Sequence, residues 1–192
     1  RFKDPEQRDR LKALPSNLFD EALKERRALV NAAVKAQIAL AIQILLVAPM
    51  RLANLASLNL EDNIVEVGGP NPNYHIVIPA EDVKNETALE YPLPRIVSEM
   101  LDVYLRKFRP RLRHRESAWL FPGELDGHKT NSTLSNQITN RIAKELGARI
   151  TPHQFRHLAA AFILDKDPAN FEFVRRVLGH TNLQTTINYY VG

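Results

Sequence analysis

The chain has 192 residues, 44% hydrophobic and 25% charged, with no cysteine and a formal net charge of +4. That size and balance suit one packed soluble domain rather than a disordered chain, and the lack of cysteine excludes a disulfide scaffold, a thiolate metal site and a cysteine nucleophile. The small positive charge permits a nucleic-acid partner without demanding one.

Residues 1–17 are expected to form a linker. Residues 18–48, rich in Ala, Leu, Glu and Lys, predict a long helix or a helix pair. Within it, the apolar run from Ala36 to Met50 is broken by Gln37 and Gln43 and contains Pro49. It is too short and too polar to span a bilayer and reads as a buried helix. A second short helix follows from Arg51, with Leu52, Leu55 and Leu58 as its apolar stripe. Ile64 to Val67, Tyr74 to Ile78 and Leu89 to Pro92 then predict a small antiparallel sheet, with Gly68-Gly69-Pro70 as a turn. Pro92 and Pro94 place the last strand at an edge or at its end.

Helices resume near Arg95, where Ile96, Met100, Val103 and Leu105 are expected to share a buried face. Six basic residues crowd between Arg106 and Arg115, and a solvated helix end explains them as well as phosphate contact does. Leu134, Ile138, Ile142 and Leu146 mark a further helix closed by Gly147. The fold class is therefore mainly α with a small antiparallel β-sheet (α+β).

Thr151-Pro152-His153-Gln154 carries three helix-start signals: an N-cap, a proline suited to the first helical position, and a capping box. His153 and Arg156, three apart, share a face of the first turn, so a helix N-terminus, an imidazole and a guanidinium converge on one anion-binding edge. Taken alone, His-x-x-Arg is common, and a histidine that caps or packs with an arginine in a surface ion pair is the favoured reading. A helix from about Asn170 to Leu178 is expected to end at Gly179 and leave His180 just beyond it. In a last helix Leu183, Ile187, Tyr190 and Val191 form the buried stripe, which leaves Tyr189 as the free phenol. Metal is disfavoured: His153 and His180 are far apart in sequence, and Arg156 would put a cation inside the site. No Gly-x-Ser-x-Gly elbow and no glycine-rich nucleotide loop occurs.

In order, Met50-Arg51, Lys84 ahead of Pro92-Leu93, Leu120-Phe121-Pro122, His153 to His157, Leu178-Gly179-His180 and Tyr189 resemble the tyrosine recombinases, the phage integrase family. The resemblance covers about residues 20–192. Two positions depart from it: Asn54 stands where the family often has an acid, and Pro49 where it usually has glycine. The resemblance implies a catalytic domain over 1–192, without the N-terminal DNA-clamping domain, that acts as a site-specific recombinase. It implies Arg51, Lys84, His153, Arg156 and His180 as catalytic groups around a scissile phosphate and Tyr189 as nucleophile, with Lys84 as general acid, His153 assisting proton transfer and His180 bonding a phosphate oxygen. Double-stranded DNA is the expected partner, with no metal, ATP or other cofactor, a tetramer on DNA for the whole protein, and a cytoplasmic location. A type IB topoisomerase-like relaxation activity and a binding-only module on the same fold are the alternatives.

Overall fold

The computed structural model describes residues 4–84, 86–112 and 116–178. Its seven helices among these residues are α1 (Pro5–Lys24), α2 (Leu29–Val47), α3 (Leu52–Ala56), α4 (Arg95–Val103), α5 (Asn131–Leu146), α6 (Pro152–Lys166) and α7 (Phe171–Leu178). The strands are β1 (Ile64–Glu66), β2 (Tyr74–Ile78) and β3 (Leu89–Pro92).

The helix pair begins earlier than expected, because Asp4 caps α1 by accepting from the Glu6 N–H at 3.0 Å and Pro5 occupies the first turn. Leu11, Leu14, Leu18 and Phe19 bury one face of α1 against α2. Residues 5–17 are thus packed helix, and the linker expected at 1–17 is corrected over that stretch. Phe19 meets Phe108 edge to face, with ring centroids 5.4 Å apart.

Helix α2 is long and apolar enough, by length and composition, to cross a membrane. Here it is the central strut of the core, packed by α1, α4, α5 and α6, with Ala33, Ala36, Ile42 and Leu45 fully buried. Its polar interruption has a use. Gln37 Nε2 donates to the Tyr104 hydroxyl at 3.2 Å, Tyr104 donates to Leu120 O at 2.8 Å, and Lys129 Nζ donates to both Gln37 Oε1 and Gln137 Oε1. Every member of that interior network has a partner, as buried polar groups require.

The sheet has the order β1-β2-β3, antiparallel throughout, with Ile76 opposite Ile64 on one side and Tyr91 on the other. Alternation puts Tyr74, Ile76, Ile78, Leu89 and Tyr91 on the core face. β3 is an edge strand, and Pro92 sits at its last position, as the sequence led us to expect. Asn63 ties the sheet to the turn after α3: its Nδ2 donates to Val77 O at 2.9 Å and its Oδ1 accepts from the Asn59 N–H at 2.8 Å.

The face of α4 differs from expectation. Ile96 is 61% exposed, while Val97, Met100, Leu101 and Tyr104 are buried. Starting the i, i+3, i+4, i+7 count at Val97 brings Tyr104 inward, and a wider π-type turn over Tyr104–Phe108 then keeps Phe108 in the core. The basic run divides likewise. Arg109 is buried with Nε donating to Trp119 O at 3.0 Å, and Arg106 pairs with Asp102 at 2.6 Å. Those two are structural.

Candidate active site

Five separate segments contribute to one cleft of ≈ 640 Å³, lined by Arg51, Leu52, Lys84, Ser135, Thr151, Pro152, His153, Arg156, His157 and Leu178. The four catalytic candidates that fall on described residues, Arg51, Lys84, His153 and Arg156, are all on its wall. His180 and Tyr189 lie outside the described residues.

Arg51 is the N-cap position of α3 and half-buried; its carbonyl accepts from the Leu55 N–H at 3.0 Å, while its side chain forms no hydrogen bond or ion pair among the described residues. Asn54 does not hold it: Asn54 faces a second, smaller depression with Ser57, Asp62 and Asp82. Lys84 is exposed and sits in the connection between β2 and β3, just past a short 3₁₀ turn at Ala80–Asp82. It too has no ion-pair partner among the described residues. A cleft with two cations that no carboxylate among the described residues neutralises is suited to an anion.

The capping box forms as the sequence predicts. Thr151 Oγ1 accepts from the Gln154 N–H at 3.3 Å, and Gln154 Oε1 accepts from the Thr151 N–H at 3.0 Å. This fixes the first turn of α6, so exposed His153 and buried Arg156 both face the cleft from an electropositive helix end. His153 and His157 stand edge to face, ring centroids 4.8 Å apart.

Arg156 organises the rest. It is 8% exposed, with Nε donating to Pro49 O at 2.8 Å and Nη2 donating to Val177 O at 2.9 Å. The first bond holds the chain two residues before Arg51. The second caps a C-terminal carbonyl of α7, where helix carbonyls lack intrahelical partners, immediately before Leu178-Gly179-His180. One guanidinium thereby joins three motif segments that are remote in sequence. Proline at 49 is compatible with this role, because the group used is its carbonyl.

Residues that sequence reasoning missed are Ser135 and Leu52 as cleft walls and His157 as part of its rim. Ser135 had no local signal, since packing of α5 against α3 brings it there. Among the described residues no group of three or more His, Asp or Glu is placed to hold a metal ion.

The profile described as the phage integrase family matches residues 19–192. The chain is 30% identical over 157 residues to "Tyrosine recombinase XerC" of Bifidobacterium longum subsp. infantis, covering 77% of this chain and 41% of that protein. It is 29% identical over 184 residues to "Tyrosine recombinase XerA" of Pyrococcus furiosus, covering 93% of this chain and 58% of that protein. The chain thus spans about half the length of these curated relatives. Among solved structures, the XerH site-specific recombinase bound to its difH substrate superimposes with a TM-score of 0.70 at 22% identity, over 97% of this chain and 48% of that one. A lambda integrase dimer on a core site does so with a TM-score of 0.56 at 16% identity, over 93% and 58%. These structural likenesses establish the fold.

Proposed function

Because the chain belongs to the phage integrase family, we propose that it is the catalytic domain of a site-specific recombinase that cuts and rejoins double-stranded DNA through a tyrosine. The observation that supports this reading is the gathering of Arg51, Lys84, His153 and Arg156, from three separate segments, around one cleft.

In the proposed reaction the Tyr189 phenol oxygen attacks phosphorus, and the bond from phosphorus to the 5′ oxygen breaks. A phenol, with an ordinary pKa near 10, is a weak nucleophile at neutral pH and must lose its proton as it attacks. Negative charge grows on the non-bridging oxygens, where Arg51 and Arg156 donate charged, forked hydrogen bonds that a lysine does not reproduce. His180 adds a bond to one of these oxygens, and His153, at the mouth of α6, assists proton transfer. Lys84 gives its proton to the departing 5′ oxygen. The products are a 3′-phosphotyrosine and a free 5′ hydroxyl. Attack by a partner strand's 5′ hydroxyl reverses every step, so the phosphodiester bond energy is conserved and neither metal nor ATP is consumed.

The relatives are recombinases of bacteria and archaea, and the structural neighbours XerH and lambda integrase are bound to DNA sites. By extension the partner is double-stranded DNA, the working assembly of the whole protein is a tetramer on that DNA, and the location is the cytoplasm. The test is a nicked suicide duplex in EDTA without ATP, followed by a two-site recombination assay. A covalent adduct and recombinant product support the proposal. Supercoil relaxation without recombination would assign a topoisomerase, and tight binding without any adduct would assign a binding-only module.

A further inference from the structure

Lys84 reaches the cleft from an exposed arm, and its amine forms no hydrogen bond or ion pair among the described residues. Where it reaches is therefore set by its backbone. The arm runs from Ile78 of β2 to Leu89 of β3, and the pairing of those two residues pins both of its ends. Between them the chain is built of short turns: the Asp82 N–H donates to Pro79 O at 3.0 Å, the Val83 N–H to Ala80 O at 3.1 Å, and the Glu86 N–H to Val83 O at 2.8 Å. Among the described residues of the arm only Val83 is buried, and it joins the main core. Lys84 is the next residue out from that anchor, inside the turn that the Val83–Glu86 bond closes. Glu86 has φ 53° and is the only non-glycine residue with positive φ among the described residues. A Cβ is disfavoured in that left-handed region. The Glu86 side chain is exposed, with no hydrogen bond or ion pair among the described residues, so no side-chain contact accounts for the conformation.

We propose that Glu86 is a positioning residue for strand cleavage: its left-handed backbone closes the Val83–Glu86 turn and so presents Lys84 to the departing 5′ oxygen. This rests on the reaction proposed above, in which the Lys84 amine gives its proton to that oxygen as the bond to phosphorus breaks. Proton transfer needs the amine within hydrogen-bond reach, and a displacement of about 1 Å is enough to slow it. Val83 is held in the core and Leu89 is held opposite Ile78. With φ at 86 negative, the chain leaving the turn would head away from Leu89, and the turn would have to open for β3 to keep its register. A strained backbone two residues from a cleft lysine is where local preference is expected to yield to function.

The test compares Glu86→Val, Glu86→Gly and Glu86→Gln in the full-length protein, by single-turnover adduct formation on two nicked suicide duplexes. One carries the ordinary 5′ bridging oxygen at the scissile phosphate and the other carries sulfur there. An alkoxide, with a conjugate-acid pKa of about 16, needs a proton in order to leave, whereas a thiolate, with one of about 8.5, does not. Valine is branched at Cβ and resists the left-handed region, glycine adopts it freely, and glutamine removes only the charge. Glu86→Val should cleave the oxygen duplex about tenfold to a hundredfold more slowly and the sulfur duplex like the parent. Glu86→Gly and Glu86→Gln should match the parent on both. Added to Lys84→Ala, Glu86→Val should bring no further loss on oxygen, because the two act through one group. The ratio of the two rates does not depend on the fraction of protein folded. Parent-like cleavage of the oxygen duplex by Glu86→Val overturns the proposal, and so does an equal loss on both duplexes or a loss in Glu86→Gln as large as in Glu86→Val. If sulfur fails to restore Lys84→Ala, the role of Lys84 as general acid has failed and that of Glu86 falls with it; if sulfur restores Lys84→Ala while Glu86→Val matches the parent, only Glu86 is lost.

Discussion

Arg51 and Arg156 have the same proposed duty toward phosphate but opposite relations to the fold, so lysine at each should separate stability from catalysis. Arg156 donates to two interior carbonyls, at 2.8 and 2.9 Å, while Arg51 has no such bond among the described residues. Hydrogen bonds from a charged donor contribute about 1.5–3 kcal/mol each, and a lysine amine can restore at most one of them. Arg156→Lys should therefore cost about 3 kcal/mol, leaving Pro49 O or Val177 O buried and unpaired. For a chain of this size that is a fall in Tm of about 6–12 °C. Arg51→Lys, at a half-exposed position with no partner to lose, should stay within about 0.5 kcal/mol. Both variants should cleave a suicide duplex about a hundredfold more slowly, the usual scale for losing one oxyanion donor. Urea and thermal unfolding read the first quantity and single-turnover adduct formation reads the second. Equal losses of Tm in the two variants, or a large loss confined to Arg51→Lys, would refute the assignment of Arg156 as the clamp.

Two further outcomes follow from local chemistry. Thr151→Ala removes the hydroxyl that caps Gln154 N–H and should cost about 1 kcal/mol in unfolding free energy, with slower cleavage because the same turn carries His153. Loss of stability with parent-like cleavage would show that the cap does not govern His153. The Lys129 amine, desolvated among Gln37 and Gln137, has its pKa pushed down to about 8. The folded amine gives up its proton before the unfolded one does, so a penalty present in full below pH 8 is relieved as pH rises toward the ordinary lysine value near 10.4. With allowance for partial solvent screening, the parent should gain about 2 kcal/mol across that window relative to Lys129→Met. Parallel stability curves from pH 7 to 10 would contradict it.

What could be read from sequence was local in cause. The Thr151–Gln154 box, the left-handed Gly147 (φ 68°) closing α5 and the alternation in β2 each arise from neighbours within a few residues, and each forms as expected. Residues 5–17 are helix rather than the expected linker because Asp4 and Pro5 start α1 and Leu11 and Leu14 bury its face. The α4 face was misplaced by one residue because Ile96 and Val97 both begin a plausible stripe, and packing of Tyr104 and Phe108 chooses between them. Arg156 was recognisable as a motif residue, whereas its clamp on Pro49, 107 positions away, was not. Ser135 was invisible for the same reason: its place on the cleft wall comes from what packs against it.

The account turns on one chemical event at one phenol. Trapping the full-length protein on a nicked duplex, digesting the adduct and mapping the modified peptide tests it most directly. The phosphonucleotide should be attached to Tyr189, and Tyr189→Phe should form no adduct while still retaining DNA in a gel shift. Label on Tyr190, or an undiminished adduct from Tyr189→Phe, would contradict the assignment of the nucleophile and with it the geometry argued for this cleft.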